Sequence, residues 1–322
     1  MAIQNTIPVV DISPFLDASS SAEQNDLVVK AVRDACITYG FFQLTGHGIP
    51  EEMQQKMLEC SRLFFDLPLE QKQACAMAKA MGESGRGYER LGGQTLQAGA
   101  LPDLKEGIYI GDEVSPDDPR AGRFLQGPNM WPAGLTSETF RAPVMEYRRR
   151  MISLGHLLLK ILAMSLPFSG GALDVIMTEP VVGNVRLLHY PPQKDSLNEK
   201  QLGDFGVITL LLQDPTASGL QVLYPPTNSW IPVPAVRDTF VVNIGDLLQK
   251  WTCGHYRSAT HRVLNVGGSH RYSVPFFYHG NVDTEIRPFD ENGKVYDDLT
   301  FKVEDHIKGK FKDSYSTSQK KE

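Results

Sequence analysis

The chain has 322 residues, 41% of them apolar and 22% charged, and its 38 acidic and 32 basic side chains give a net charge of −6. This length is ample for a sizeable hydrophobic core, in one large domain or two modest ones. The mild acidity, without a long basic run, argues against nucleic acid and anionic membranes as partners. No apolar run approaches the roughly 20 residues that cross a bilayer, and the first residues lack the pattern of a secretion signal.

The number and spacing of the cysteines indicate in which cellular compartment the protein is expected. The four cysteines, Cys36, Cys60, Cys75 and Cys253, form no Cys-x-x-Cys pair and no dense framework. This spacing favours reduced thiols, which are typical of cytosolic proteins. We therefore expect a globular protein of the cytoplasm.

The first half of the chain is predicted to be mainly helical. A short β-like run at 7–12 precedes an amphipathic helix with an apolar face within 27–35. A buried strand at 40–44 lies between glycine turns, and a second helix is predicted over 51–65. Pro68 marks the start of the next helix.

The middle of the chain combines a long irregular segment with a clear helix. Residues 81–132 are rich in glycine and proline and show little periodicity, which predicts a loop region covering a site. Apolar residues then recur at spacings of three and four, which predicts a core-supporting helix. They are Val144, Tyr147, Met151, Leu154, Leu158 and Ile161.

The second half changes to short strands separated by turns. Seven strands at this spacing predict an all-β sandwich or barrel. The candidates are 185–190, 207–212, 220–223, 230–233, 240–244, 262–266 and 272–277. The sequence thus predicts an α-rich first half wrapped on a β-barrel second half.

Arg271 and Ser273 are the first candidates for chemistry. Residues two apart on a strand face the same side, so this guanidinium and this hydroxyl point together. The pair suits one end of a dicarboxylate, and an internal salt bridge is an equally good interpretation. Upstream, Tyr190 is held by two following prolines, and Asp204 opens an apolar strand, where it could bind metal or cap a turn.

These features together resemble the iron(II)/2-oxoglutarate-dependent oxygenase superfamily, in its isopenicillin-N-synthase-like (iron/ascorbate-dependent oxidoreductase) branch. The resemblance covers nearly the whole chain, and its motifs fall in the expected order. They lie at 7–11, 39–48, 86–88, 103–106 and 186–277.

The resemblance implies an α+β fold with a double-stranded β-helix (jelly-roll) core, flanked by N-terminal helices and a C-terminal helical tail. It implies one Fe(II) ion held by two histidines and a carboxylate, to which Asp204 and His261 correspond. Arg271, Ser273 and Tyr190 match the residues that bind 2-oxoglutarate. Fe(II), 2-oxoglutarate and O2 are thus implied, with ascorbate as an optional reductant. The implied reaction hydroxylates, desaturates or cyclises a small organic metabolite, and we expect the protein to be a monomer.

One ligand position departs from the family pattern. Leu202 stands two residues before Asp204, where the His-x-Asp motif of the family has its proximal histidine, and leucine has no lone pair for a metal. The separation of 14 between Tyr190 and Asp204 is short for the family and indicates a small deletion. Three explanations stay open: an error of gene prediction, a displaced ligand such as His189 or Glu199, or a metal-free binder or non-oxidative enzyme.

The resemblance also divides the chain. We expect an N-terminal oxygenase-type region at 1–120, a supporting helix region at 121–177, the jelly-roll domain at 178–282 and a C-terminal tail at 283–322.

The remaining candidates receive structural interpretations. Asp103, Lys105 and Glu106 match the family, but a solvated loop is at least as good an explanation as substrate contact. The sequence predicts core positions for four aromatic residues and structural roles for two histidines outside the ligand pattern. These residues are Trp251, Phe276, Phe277, Tyr278, His255 and His279.

Overall fold

The computed structural model describes residues 6–92, 105–168, 171–192, 203–264 and 268–316, with side chains described as far as residue 312. Six α-helices lie within these ranges. They are α1 (Ala22–Thr38), α2 (Glu51–Phe65), α3 (Leu69–Ala74), α4 (Ala142–Met164), α5 (Asp246–Trp251) and α6 (Val303–Ser316). Over these ranges, no helix is both long enough and apolar enough to pass through a membrane.

Local sequence explains where the first helix begins. The Ser21 hydroxyl accepts a hydrogen bond from the Gln24 backbone N–H at 3.3 Å, and the Gln24 side chain accepts one from the Ser21 N–H at 2.8 Å. This reciprocal pair satisfies two N–H groups that have no partner within the helix. The boundary of α1 is therefore set by side chains as well as by its buried apolar face.

Within the same ranges, thirteen strands alternate with these helices. They are β1 (Val9–Asp11), β2 (Phe41–Thr45), β3 (Gly87–Glu89), β4 (Glu106–Ile110), β5 (Val182–Tyr190), β6 (Ile208–Gln213), β7 (Leu220–Tyr224), β8 (Ser229–Pro232), β9 (Phe240–Ile244), β10 (His261–Val263), β11 (Arg271–Gly280), β12 (Glu285–Ile286) and β13 (Phe301–Lys302).

Two sheets build the barrel. The large sheet has eight strands in the order β1-β2-β9-β6-β11-β5-β4-β3, and the smaller sheet has three in the order β10-β7-β8. All pairings in these two sheets are antiparallel except β1 with β2. Both sheets line one pocket, as expected for a double-stranded β-helix. The α+β prediction, with N-terminal helices and a C-terminal helix, is confirmed.

Helix α4 supports the large sheet from outside the barrel. Its predicted apolar stripe is buried, and it approaches the sheet closely at Gly155, where a Cβ atom would lie 2.5 Å from the Tyr278 ring. Arg148 of the same helix is also buried, and its Nε donates to the Gly183 carbonyl at 2.9 Å.

The prediction of a loop throughout 81–132 is wrong for part of that segment. It contains β3 and β4, which pair with each other and extend the large sheet beyond β5. Every residue of the two strands is buried. The alternation of polar and apolar residues that marks a half-exposed strand is absent because both faces are covered.

Candidate active site

A pocket that is partly open to solvent lies between the large and the small sheet. All five residues predicted to hold metal or cosubstrate line it. They are Tyr190, Asp204, His261, Arg271 and Ser273. Residues that are far apart in the sequence come together through strand pairing. Strand β11 pairs with β5 on one side, which places Arg271 opposite Tyr190, and with β6 on the other.

Arg271 and Ser273 form one end of the pocket. Arg271 is 1% exposed, and its guanidinium donates to the Ser273 hydroxyl at 3.4 Å and to the Gln213 side-chain oxygen at 3.4 Å. The guanidinium carbon lies 4.9 Å from the centre of the Tyr190 ring. The Nε of Arg271 is buried without a hydrogen-bond partner among the described residues.

The charge of Arg271 has no carboxylate in an ion pair among the residues that the structure describes. Burial lowers the pKa of this guanidinium, and the neighbouring Tyr190 opposes that shift. The nearby Asp214 is already paired with Arg62 at 2.7 Å. A buried cation of this kind is costly unless a counter-ion is supplied. The geometry therefore suits a bound carboxylate better than an internal salt bridge.

Asp204 lies where β6 and β9 approach each other closely. A Cβ atom at Gly245 would lie 1.9 Å from the Gly206 carbonyl oxygen, so only glycine fits there. The Asp204 carbonyl accepts from the Asp246 N–H at 2.8 Å, and its carboxylate accepts from the Asn243 amide at 2.6 Å. Asn243 thus orients the Asp204 carboxylate, a role that the sequence prediction missed.

His261 lies on the small sheet and faces the same region of the pocket. Its ring centre is 5.3 Å from that of Phe41, and Phe41 is the register partner of Asn243. The Nδ1 of His261 is 3.3 Å from the Ala259 carbonyl oxygen. A carbonyl can only accept, so this contact favours the tautomer with the proton on Nδ1 and the lone pair on Nε2.

The complete three-ligand set of the family does not fit the described residues. Within them, no group of three His, Cys, Asp or Glu side chains is placed to hold a metal ion. Leu202 and Glu199 lie outside the described residues. His189 is committed elsewhere, because its Nδ1 is 2.8 Å from a Glu106 carboxylate oxygen and its Nε2 is 2.8 Å from Nδ1 of His270. Asp204 and His261 line the same pocket, and their role as two of the usual three donors stays a prediction.

His279 also lies on the pocket wall, although the sequence predicts only a structural role. It is 4% exposed, its Nδ1 has no hydrogen-bond partner within the described part of the chain, and burial lowers its pKa to about 4. The same correction applies to Phe277, which lines the pocket rather than the closed core. Both follow Arg271 and Ser273 at even spacing on β11, so strand alternation is the signal that could have found them.

Lys105 and Glu106, at the start of β4, are buried, so the interpretation as a solvated loop is wrong for these two of the three residues. Lys105 lines the pocket, and Glu106 accepts hydrogen bonds from the Tyr88 hydroxyl at 2.7 Å and from the Lys72 ammonium at 3.0 Å. Asp103 lies outside the described residues. Arg186, another pocket residue, pairs with the buried Glu89.

Apolar side chains make up most of the remaining wall. The C-terminal helix α6 contributes Phe311, whose ring centre is 5.8 Å from that of Phe205 and 5.7 Å from that of Phe124. The sheets contribute Phe41, Leu188, Leu211, Leu220, Val263 and Pro275. Such walls around a few charged groups are typical of small-molecule sites.

Comparison with protein-family models gives two matches. Residues 7–134 match the family described as "non-haem dioxygenase in morphine synthesis N-terminal". Residues 182–280 match the "2OG-Fe(II) oxygenase superfamily". Together the two matches cover well over half of the chain.

Curated relatives and solved structures agree with these matches. The 2-oxoglutarate-dependent dioxygenase tropC of Talaromyces stipitatus is 46% identical over 296 residues, covering 89% of this chain and 90% of its own. The clavatol oxidase claD of Penicillium crustosum is 40% identical over 332 residues, covering 96% and 97%. The crystal structure of a 2OG-Fe(II) oxygenase family protein from Caulobacter crescentus superposes with a TM-score of 0.80 at 26% identity, covering 95% and 98%.

Proposed function

Because the chain belongs to the iron(II)/2-oxoglutarate-dependent oxygenase superfamily, we propose that its barrel pocket binds 2-oxoglutarate at Arg271 and a metal ion near Asp204. The chain is a 2-oxoglutarate-dependent dioxygenase of small organic molecules, and it uses Fe(II), 2-oxoglutarate and O2. The relatives favour this oxidative function over the metal-free alternative that the missing histidine left open.

The proposed cosubstrate end is the part of the site with the strongest support. Arg271 binds the far carboxylate of 2-oxoglutarate, Ser273 adds a hydrogen bond, and Tyr190 packs against the guanidinium at 4.9 Å. The single observation that carries this assignment is the buried Arg271, which lacks a carboxylate partner among the described residues. A planar guanidinium binds a carboxylate through two parallel hydrogen bonds.

The proposed metal end uses Asp204 and His261 as donors. Asn243 holds the Asp204 carboxylate, and the Ala259 carbonyl fixes the ring of His261. Partners of this kind orient metal ligands and tune their basicity. Bound Fe(II) would supply the oxidising chemistry with O2, and the residues of this chain exclude water and orient the substrate beside it.

The substrate is proposed to be a small organic metabolite that is hydroxylated, desaturated or cyclised. The apolar wall from Phe41 to Phe311 would hold its carbon skeleton, while Lys105 and Arg186 offer polar contacts. The names of relatives such as clavatol oxidase support a metabolite as the substrate class.

We also propose that the protein acts in the cytoplasm as a monomer. All four cysteines are unpaired thiols in the structure, and three of them are buried. Light scattering after gel filtration should give the chain mass of 35.8 kDa. Twice that mass would contradict the proposal, and microscopy of a tagged chain tests the compartment.

Succinate release from 2-oxoglutarate under air, with added Fe(II), tests the proposed function. We expect release by the wild-type chain and its loss in Asp204→Ala, His261→Ala and Arg271→Met. His255→Ala is the control, since His255 contacts Glu291 outside the pocket and should retain release. Equal rates in Arg271→Met and the wild type would contradict the cosubstrate assignment.

A further inference from the structure

A second pocket lies where the first residues of β5 meet helix α4 and the segment between β4 and α4. Three of its lining residues are arginines, namely Arg86, Arg120 and Arg148. Over the described ranges, none of its lining residues also lines the barrel pocket. This second pocket is therefore distinct from the site described above.

Arg86, which immediately precedes β3, is almost completely buried, with 1% of its surface exposed. Its terminal nitrogens donate to the Asn184 side-chain oxygen at 3.0 Å, to the Ser84 carbonyl at 3.3 Å and to the Leu125 carbonyl. All three acceptors are neutral. The Nε of Arg86 has no hydrogen-bond partner, and no carboxylate forms an ion pair with this guanidinium, among the residues that the structure describes.

The surrounding charges leave Arg86 without a counter-ion. Burial lowers the pKa of Arg86 to about 9, and the like charge of Arg148 lowers it further. The Asp112 and Glu113 carboxylates oppose this shift without forming an ion pair with Arg86. Asp112 is half exposed, and it is shared between Arg148 at 3.4 Å and Arg120 at 3.8 Å. A buried cation is costly unless negative charge is supplied, and a water molecule brings none.

Gln126 adds a neutral donor to the same pocket. It is 3% exposed, and within the described part of the chain neither atom of its side-chain amide has a hydrogen-bond partner. The Glu179 carboxylate, which also lines the pocket, accepts from the Val181 N–H at 2.9 Å. The pocket thus combines two buried N–H donors, from Arg86 and Gln126, with one cation that lacks a counter-ion. This combination suits an anion.

We propose that this pocket binds a small monovalent anion, chloride under ordinary conditions, held by the Arg86 guanidinium and the Gln126 amide. One negative charge balances the one buried guanidinium that has no carboxylate partner in the described ranges. The bound anion would join the segment that carries Gln126 to β5 and α4, and so stabilise the folded chain. The inference is independent of the proposed function, because the two pockets share no described lining residue.

Thermal unfolding of the full chain in sodium chloride and in sodium gluconate, at equal ionic strength, tests the proposal. We expect chloride to raise the melting temperature of the wild type by about 2 °C or more, with saturation as the site fills. Bromide should act in the same way. Sulfate stabilises proteins generally because it is excluded from their surfaces, so its effect should not saturate. Equal melting temperatures in chloride and gluconate would overturn the proposal.

Substitutions of Gln126 locate the effect. Gln126→Leu keeps the approximate size of the side chain but removes the N–H donor, and it should lose the chloride-dependent shift. Gln126→Glu supplies the negative charge from the chain itself, so its melting temperature should not depend on chloride. Gln55→Leu, at an exposed position of α2, is the matched control and should keep the shift of the wild type. An equal chloride shift in Gln126→Leu and the wild type would overturn the proposal.

Crystals of the wild-type chain grown in sodium bromide give a direct test that needs no variant. The anomalous difference map should show a bromide peak within hydrogen-bonding distance of the Arg86 Nε and the Gln126 amide nitrogen. Density there without an anomalous signal would mean that water fills the pocket, and it would overturn the proposal.

Discussion

Arg271 and Ser273 contribute to one binding site through interactions of different strength. A hydrogen bond to a charged group contributes about 1.5–3 kcal/mol, and a guanidinium can make two of them to a carboxylate where a hydroxyl makes one. We therefore expect Arg271→Met to weaken 2-oxoglutarate binding by about a hundredfold or more and Ser273→Ala by roughly tenfold. Calorimetry in the presence of Mn(II) measures both. A Ser273→Ala loss as large as that of Arg271→Met would show that the hydroxyl, rather than the cation, dominates.

His279 makes the stability of the metal-free protein depend on pH. Its folded pKa is lowered from 6.5 to about 4 by burial and by the neighbouring Arg86. Between these values the unfolded chain binds the proton and the folded chain does not, so stability falls as the pH falls from 6.5 to 4. The full loss is about 3 kcal/mol.

His279→Gln isolates this contribution, since glutamine does not titrate. Urea unfolding with chelator present should show a smaller decrease between about pH 7 and pH 4.5 for the variant than for the wild type. Parallel curves for the two proteins would mean that His279 has the same pKa in the folded and the unfolded chain.

At the scale of elements, helix α4 packs closely on β11 at Gly155. The Cβ atom of an alanine at position 155 would lie 2.5 Å from the Tyr278 ring. Overpacking of this kind costs about 1–3 kcal/mol, which exceeds the gain of up to about 1 kcal/mol from replacing a helical glycine by alanine. We expect Gly155→Ala to lower the free energy of unfolding, measured in urea, by about 1–2 kcal/mol. Ser153→Ala, on the exposed side of the same helix, is the control and should change it little.

Much of the fold was predictable from the sequence, and the exceptions share a physical cause. Helix α2 has its predicted bounds of Glu51–Phe65, and β9 has those of Phe240–Ile244. Both carry strong local patterns. Strands β3 and β4 were missed because they are short and buried on both faces, so their sequence has no alternation to detect.

The site was predictable where motifs carry the chemistry. Tyr190, Asp204, His261, Arg271 and Ser273 were all identified before their positions were known, and all line the pocket. Their roles stay predictions. Asn243 and Phe311 were not identified, because their proximity to the pocket comes from tertiary packing. His279 was assigned a structural role, although its even spacing from Arg271 on β11 places it on the pocket side.

At the scale of the whole molecule, the buried charge of Arg271 links binding to stability. A ligand that binds only the folded chain stabilises it by about 2.7 kcal/mol at a concentration of 100 times its Kd. We expect 2-oxoglutarate with Mn(II) to raise the melting temperature of the wild type by several degrees. Arg271→Met should show almost no shift at the same concentration. An equal shift in both proteins would place the ligand elsewhere.

The proposed division of the chain at residues 120, 177 and 282 stays a prediction, yet the sheet order limits how independent such regions can be. Strands β1 and β2 come from the N-terminal part and extend the large sheet beside β9. Phe41, a residue of β2, lines the pocket, so the N-terminal part of the chain forms part of the pocket wall.

This position of Phe41 has a consequence for how such proteins could diversify. An exchange of the N-terminal region between two relatives would leave Asp204, His261 and Arg271 in place while replacing one face of the cavity. A chimaera of that kind would inherit its chemistry from one parent and part of its selectivity from the other. In such a chimaera, β2 from one parent would have to form backbone hydrogen bonds with β9 from the other. The exchange would therefore succeed only where the two strands keep the register that pairs Phe41 with Asn243.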